Sequence, residues 1–185
     1  MKFNDNSKLA GQHAFLSASK HSWLNYPEDK LDRVFLSNMA AQRGTKLHAL
    51  AHDLITLGVR LPDTPTTMNM YVNDAIGFRM QSEKILFYSM NAFGTVDTIA
   101  FRHNKLRIHD LKNGVHHASE KQLEVYSALF CLEYGFRPFD IEIELRIYQN
   151  DEVRIYEADP VTISLIMDKI VAFDRRINIL REEAE

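Results

Sequence analysis

The chain has 185 residues, 45% hydrophobic and 25% charged, a globular balance that excludes a disordered or fibrous protein. Its single cysteine excludes a disulfide scaffold, a zinc ribbon and a four-cysteine iron–sulfur cluster, and no apolar run approaches the ~18 residues of a membrane span. The net charge of -3 excludes a uniformly basic clamp, so contact with an anionic polymer would need a local patch or metal ions.

One domain, 1–185, is expected at this length, with a helical N-terminal part to about residue 80 and a core from about 82. The opening residues (MKFNDNSKLAGQH) lack an apolar h-region, so a cytoplasmic, reducing compartment is expected. Ser17-Ala18-Ser19-Lys20 reads as the start of a short helix that ends near Trp23-Leu24, before Pro27. From Leu31 to Leu57, Val34, Phe35, Met39, Leu47, Leu50 and Leu54 recur at helical spacing, and Gly58 is the stop signal. Leu61 to Pro65 reads as a loop, and Thr66 or Thr67 caps a helix to about Met80. The period then changes. Lys84–Met90, Gly94–Phe101 and Leu106–Leu111 read as strands rich in aromatic and β-branched residues. Ser119–Tyr134 is helical and stops at Gly135. Ile141–Tyr148 and Val153–Tyr156 are strands around an Asn150-Asp151 turn, and Pro160 opens a last amphipathic helix to about Leu180. This order predicts an α/β fold, a central mixed β-sheet flanked by helices.

The third and second strands can be tested by register. A two-residue turn at His103-Asn104, where asparagine tolerates the left-handed conformation, sets Phe101 opposite Leu106 and Ile99 opposite Ile108. The same register then sets Asp97 opposite Asp110 and Thr95 opposite Lys112. On the other face it pairs Thr98 with His109 and Val96 with Leu111. Two carboxylates directly across a strand pair stand ~5 Å apart, which costs about 3 kcal/mol at an effective dielectric of 20. Two readings are open: solvated ends of an exposed hairpin, or a site whose acids share a cation. Hard oxygen ligands suit Mg²⁺.

The spacing Asp97-x12-Asp110-Leu111-Lys112 resembles the PD-(D/E)XK nuclease superfamily. Further motifs are similar to its RecB-like branch: Ser17-Ala18-Ser19 to the S-x-S opening, Gly44-Thr45-Lys46-Leu47-His48 to G-x-x-x-H, Gly94-Thr95-Val96-Asp97 to G-x-x-D, and Gln122-x3-Tyr126 to Q-x3-Y. Five motifs in order cover roughly residues 15 to 126, and the fit to phage-encoded exonucleases looks closest. The resemblance implies a restriction-endonuclease-like core with N-terminal helices and a metal-dependent phosphodiester hydrolase acting on DNA. It implies that Asp97, Asp110, the Leu111 carbonyl and His48 hold Mg²⁺ or Mn²⁺, the imidazole adding weight to Mn²⁺. It implies that Lys112 and Gln122 attend the phosphate and that Tyr126, Ser17 and Ser19 contact the DNA backbone; Arg43, which flanks Gly44, is by its charge a further candidate for phosphate. Adjacent carboxylates favour the charged form of a lysine, which argues against Lys112 as a general base. The family's iron–sulfur variants need four cysteines and are excluded by the single Cys131.

Plainer roles stand beside these. His48 and His52, four apart on a helix, are also a surface pair, although Ala49 breaks the H-E-x-x-H pattern. Ser17 and Ser19 are also helix caps, and Arg43 and Lys46 are also solvated charges. Glu83 is a candidate further acid, and His116-His117 sits in the loop after Lys112. Two functions follow: a nuclease, best read as an exonuclease in phage or mobile-element recombination, repair or replication; or a nuclease fold kept to bind DNA ends or dock a recombination or single-strand-binding protein. The compartment is the host cytoplasm if the chain is phage-encoded. The final helix (Ile163, Ile166, Ile170, Phe173, Ile177, Leu180) is long enough to be an oligomer face.

Overall fold

A computed structural model describes residues 14–16, 21–114 and 118–184. The chain divides into two compact units, 1–43 and 44–185, the boundary falling inside the first long helix. Helix α1 spans Glu28–Leu57, three residues earlier than the apolar spacing indicates, because Glu28 and Asp29 suit the positive end of its dipole. In the first unit a 3₁₀ turn at His21–Asn25 precedes Pro27, and the Phe15 ring meets Phe35 edge-on at 5.1 Å. The rest of the short helix expected from Ser17, like Ser17 and Ser19 themselves, lies outside the described residues.

The second unit holds α2 (Thr67–Gly77), β1 (Gln81–Ser89), β2 (Ala92–Arg102), β3 (Lys105–Leu111), α3 (Lys121–Tyr134), β4 (Glu142–Gln149), β5 (Glu152–Glu157) and α4 (Pro160–Ala184). The five strands form one sheet in chain order. All neighbours are antiparallel except β3 and β4, which α3 joins as a crossover. The α/β mixed sheet with flanking helices is therefore the observed fold. No helix among the described residues is long and apolar enough to cross a membrane.

Both faces are covered at the centre of the sheet, so β3 and β4 carry apolar residues on both sides. Leu86, Ile108, Leu145 and Ile147 join Leu123, Leu129 and Ile163 in one core, reached by α3 and α4. Leu111 and Tyr148 join Ala51, Ile55, Tyr71 and Val72 of α1 and α2 in the other. Each fully buried aliphatic side chain is worth roughly 1.5–3 kcal/mol. Helix α2 stops at Gly77, earlier than Met80, because Arg79 turns left-handed (φ 53°) and Met80 N–H returns to the Ala75 carbonyl at 2.9 Å. Strand β1 begins at Gln81 rather than Lys84: its polar start is legible only through pairing with β2, as in Ser82 with Thr98.

The β2–β3 register follows the sequence reading from Arg102↔Lys105 to Thr98↔His109. His103 and Asn104 both have positive φ, 52° and 56°, as a two-residue hairpin with right-handed strand twist requires. Asparagine tolerates this and histidine less so. We expect His103→Gly to raise the unfolding free energy by about 1 kcal/mol, measured by urea denaturation; an unchanged or lowered value would show that the turn is unstrained.

Candidate active site

The ladder stops at Thr98↔His109, and three predicted pairs beyond it do not form. Strand β3 itself runs on beside β4 as far as Leu111↔Tyr148, with Lys112 N–H donating to the Tyr148 carbonyl at 2.9 Å, so the break lies in β2. Val96 and Leu111, expected as a pair, sit in different cores. Side-chain alternation along β2 also slips here. Val96 and Ile99, three apart, share one core, while Ala100 packs toward the other. Glu83, between the pairs Ser82↔Thr98 and Lys84↔Val96, is strained to φ 53° across from Asp97.

Where the strands part, the Asp97 carboxylate replaces the missing ladder. Its Oδ2 accepts the Leu111 N–H at 2.9 Å, and its Oδ1 lies 3.3 Å from His48 Nδ1 on α1. Asp97 and Asp110 are thus not a cross-strand pair, yet they remain electrically coupled. The hydrogen bond to Asp97 is the main cause that raises the His48 pKa above its ordinary value, and Asp110 adds to it. Asp110 continues the row Leu106, Ile108 on β3, beside Ile143, Leu145 and Ile147 on β4, so an acid occupies a core position. It is 3% exposed. Burial, and then the charge of Asp97, pushes its pKa up; Lys112 opposes this.

A relay of hydrogen bonds fixes the lysine. Lys112 Nζ donates to Asp110 Oδ1 at 3.0 Å and to Gln122 Oε1 at 3.2 Å. An ammonium only donates, so the Gln122 amide must turn its nitrogen the other way. That nitrogen donates to the Tyr126 hydroxyl at 3.1 Å, and the hydroxyl donates to the Thr95 carbonyl at 2.6 Å. Gln122 and Tyr126 share a face of α3 by their i, i+4 spacing. Gly94 makes the contact possible: a Cβ there would lie 2.9 Å from Tyr126 Cε1. Gly44 has a milder version of the same role, since a Cβ there would meet Asn113 at 3.2 Å.

His48, Asp97, Asp110, Leu111, Lys112, Gln122 and Tyr126 therefore come together, with Thr95 contributing a carbonyl that no motif indicates. Tyr71 was also illegible, being 26 positions before Asp97 on another helix. Burial raises its pKa well above the ordinary value, and the charges of Asp97 and Asp110 add to that rise. Arg43 is exposed and belongs to the first unit, Lys46 is exposed, and His116 and His117 lie outside the described residues. His52 is not half of a surface metal pair; its Nδ1 meets Ser82 Oγ at 2.8 Å. Glu83 lines a small cavity with His48, Tyr71 and Asp97.

The donor set suits a hard divalent cation. Asp110 Oδ2 is buried with no hydrogen-bond partner, and two carboxylates with an imidazole are oxygen-rich and short of positive charge. Among the described residues no three His, Cys, Asp or Glu side chains already converge on one cation position.

No family model matches the chain, and no curated protein matches it. It is similar to a solved structure, that of SSO0001, at 13% identity and a TM-score of 0.32, over 58% of this chain and 56% of that one. The chain thus spans little more than half the length of that protein, and a likeness at this level carries no argument.

Two outcomes test the site. Gly94→Ala should destabilise the protein by about 1–3 kcal/mol through overpacking against Tyr126, read from urea unfolding; a smaller loss would mean the ring moves freely. Asp110→Asn should stabilise the cation-free protein at neutral pH. A carboxylate whose folded pKa is raised contributes stability below its unfolded pKa and loses it as pH rises through the folded one. The advantage of the variant should therefore shrink on acidification, as followed by thermal unfolding against pH. A variant less stable than wild type at neutral pH would contradict the account.

Proposed function

We propose that this chain is a divalent-cation-dependent deoxyribonuclease of the PD-(D/E)XK type, RecB-like branch, trimming DNA ends in recombination, repair or replication. The observation that carries the reading is Asp110: a core carboxylate with one unpartnered oxygen, beside a second acid and a lysine held by its own relay. A fold keeps such a group against the cost of burying it when the group has work at that place.

Asp97, Asp110, the Leu111 carbonyl and His48 would hold Mg²⁺ or Mn²⁺, which when bound supplies Lewis acidity toward a phosphodiester oxygen. The chain's own residues do the rest. Asp110 and Gln122 fix the Lys112 ammonium in place, where it stabilises negative charge developing on the phosphate. Gln122 cannot rotate without breaking its bond to Tyr126, so the lysine is positioned before substrate arrives. Tyr126 ties this arrangement to the backbone of β2 at Thr95. His48 and Asp97, now joined by a hydrogen bond, present lone pairs to a cation once the imidazole loses its proton.

The test is digestion of end-labelled linear, circular and single-stranded DNA in Mg²⁺ and in Mn²⁺. Cleavage should require the cation and fall at least ~10²-fold in Asp110→Ala or Lys112→Ala, with circular dichroism unchanged. A wild-type chain that cuts none of these substrates in either metal would instead be a DNA-end-binding or partner-docking module on a nuclease fold.

A further inference from the structure

The hairpin β1–β2 carries exposed apolar residues that neither core uses. Ile85, Phe87, Met90 and Phe93 are 57%, 44%, 74% and 56% exposed. They are not scattered. Phe87 pairs with Phe93 and Ile85 with Thr95 in the sheet register, and the next position on this row sets Glu83 across from Asp97. Side chains two apart on a strand share a face. A ladder of cross-strand pairs therefore runs from an aromatic pair, through Ile85 and Thr95, to the acid of the candidate site. The two phenyl rings lie 6.3 Å apart at an interplanar angle of 32°. Along β2 the distance from Phe93 to Asp97 is about 13 Å, the length of roughly four stacked bases at ~3.4 Å each.

The hairpin is also fixed in place. Phe87 N–H donates to Glu133 of α3 at 2.8 Å, which blocks the outer edge of β1 at that residue. At the tip, Ser89 and Asn91 donate to Asp174, and Asn91 also to Asn178, both on α4. Exposed rings on a pinned ribbon lose little freedom when something flat covers them.

Resting on the nuclease reading above, we infer that Phe87 and Phe93 form a stacking platform for unpaired bases, and that the substrate reaches the site as a single strand. Phenyl faces recognise π-faces without regard to base identity, whereas a duplex hides its base faces within the stack. The one rung between the aromatic pair and Asp97, Ile85 with Thr95, is uncharged. Thr95 is small enough to let the backbone pass.

Binding measured in EDTA separates this inference from the cleavage reading. The full chain is titrated into fluorescein-labelled oligo(dT) and into a blunt duplex, with anisotropy as readout. Phe87→Leu/Phe93→Leu keeps the apolar surface and removes the rings. It should weaken oligo(dT) binding ~10-fold or more and leave duplex binding within about twofold. Unchanged oligo(dT) affinity, equal losses on both DNAs, no oligo(dT) binding by wild type, or a shift from oligomer to monomer on sedimentation would each overturn the platform. Ring-dependent binding by a chain that never cuts DNA would keep the platform and refute the nuclease. Cutting that ignores the rings would do the reverse.

Discussion

The parting of β2 from β3 beyond Thr98↔His109 is the constraint from which the candidate site follows. A continuous ladder would have used the backbone groups of residues 95–97 and 110–112 on each other. Beyond the break those groups need other partners, since backbone donors and acceptors are rarely left unpaired when buried. The Asp97 carboxylate takes the Leu111 N–H, and the Tyr126 hydroxyl gives its proton to the Thr95 carbonyl. Both substitutions bring side-chain chemistry into the gap. The same opening gives His48 access to Asp97 from α1 and lets the relay from α3 reach Lys112.

Asp110 sets the electrostatic character of the gap. Its row on β3 is otherwise leucine and isoleucine, so the carboxylate is stripped of water on the side facing Ile147. Desolvation and the charge of Asp97 both disfavour ionisation there, and a single ammonium opposes them. The cost of taking such charges out of water cancels much of what their attraction returns. The arrangement is therefore poor as a stabilising device and good as a poised one. Nothing in the packing of β3 calls for an acid at this place, since a leucine would extend both the row and the core.

The sequence was legible where a rule is local. Hairpin chemistry at His103-Asn104 located the β2–β3 turn and five rungs of register, and helical spacing placed α1, α3 and α4. It was illegible where a strand departs from regular alternation. Pairing Asp97 with Asp110 extrapolated the β2–β3 ladder past the slip in β2, where Val96 and Ile99 share one core. The resulting site nevertheless contains both acids, because Asp97 reaches the neighbour of Asp110 through Leu111 N–H. Tyr71 and the Thr95 carbonyl carry no signature in spacing at all. On α4 the apolar residues split: Ile163 is buried, while Phe173, Ile177 and Leu180 are exposed, a difference that helical period alone cannot express.

On the face of the sheet covered by α1 and α2, a set of contacts holds β3 to β4. His109, one residue before Asp110, is fully buried, and burial drives its pKa down to about 3, so its ring is neutral. Tyr148, on β4, donates its hydroxyl proton to Asp74 at 2.7 Å. The 3.2 Å contact between that hydroxyl and His109 Nδ1 must then be donated by the ring nitrogen. Asp74 also accepts from Arg146 at 3.0 Å, and the guanidinium groups of Arg107 and Arg146 lie 4.7 and 4.8 Å from the centre of the Phe78 ring. These contacts tie α2, β3 and β4 together at the residues where β2 turns away. They share Asp74 and Tyr148 as common partners, which makes them stronger together than singly. Strand β3 thus keeps its place in the sheet where β2 leaves it, and the acids occupy the opening that results.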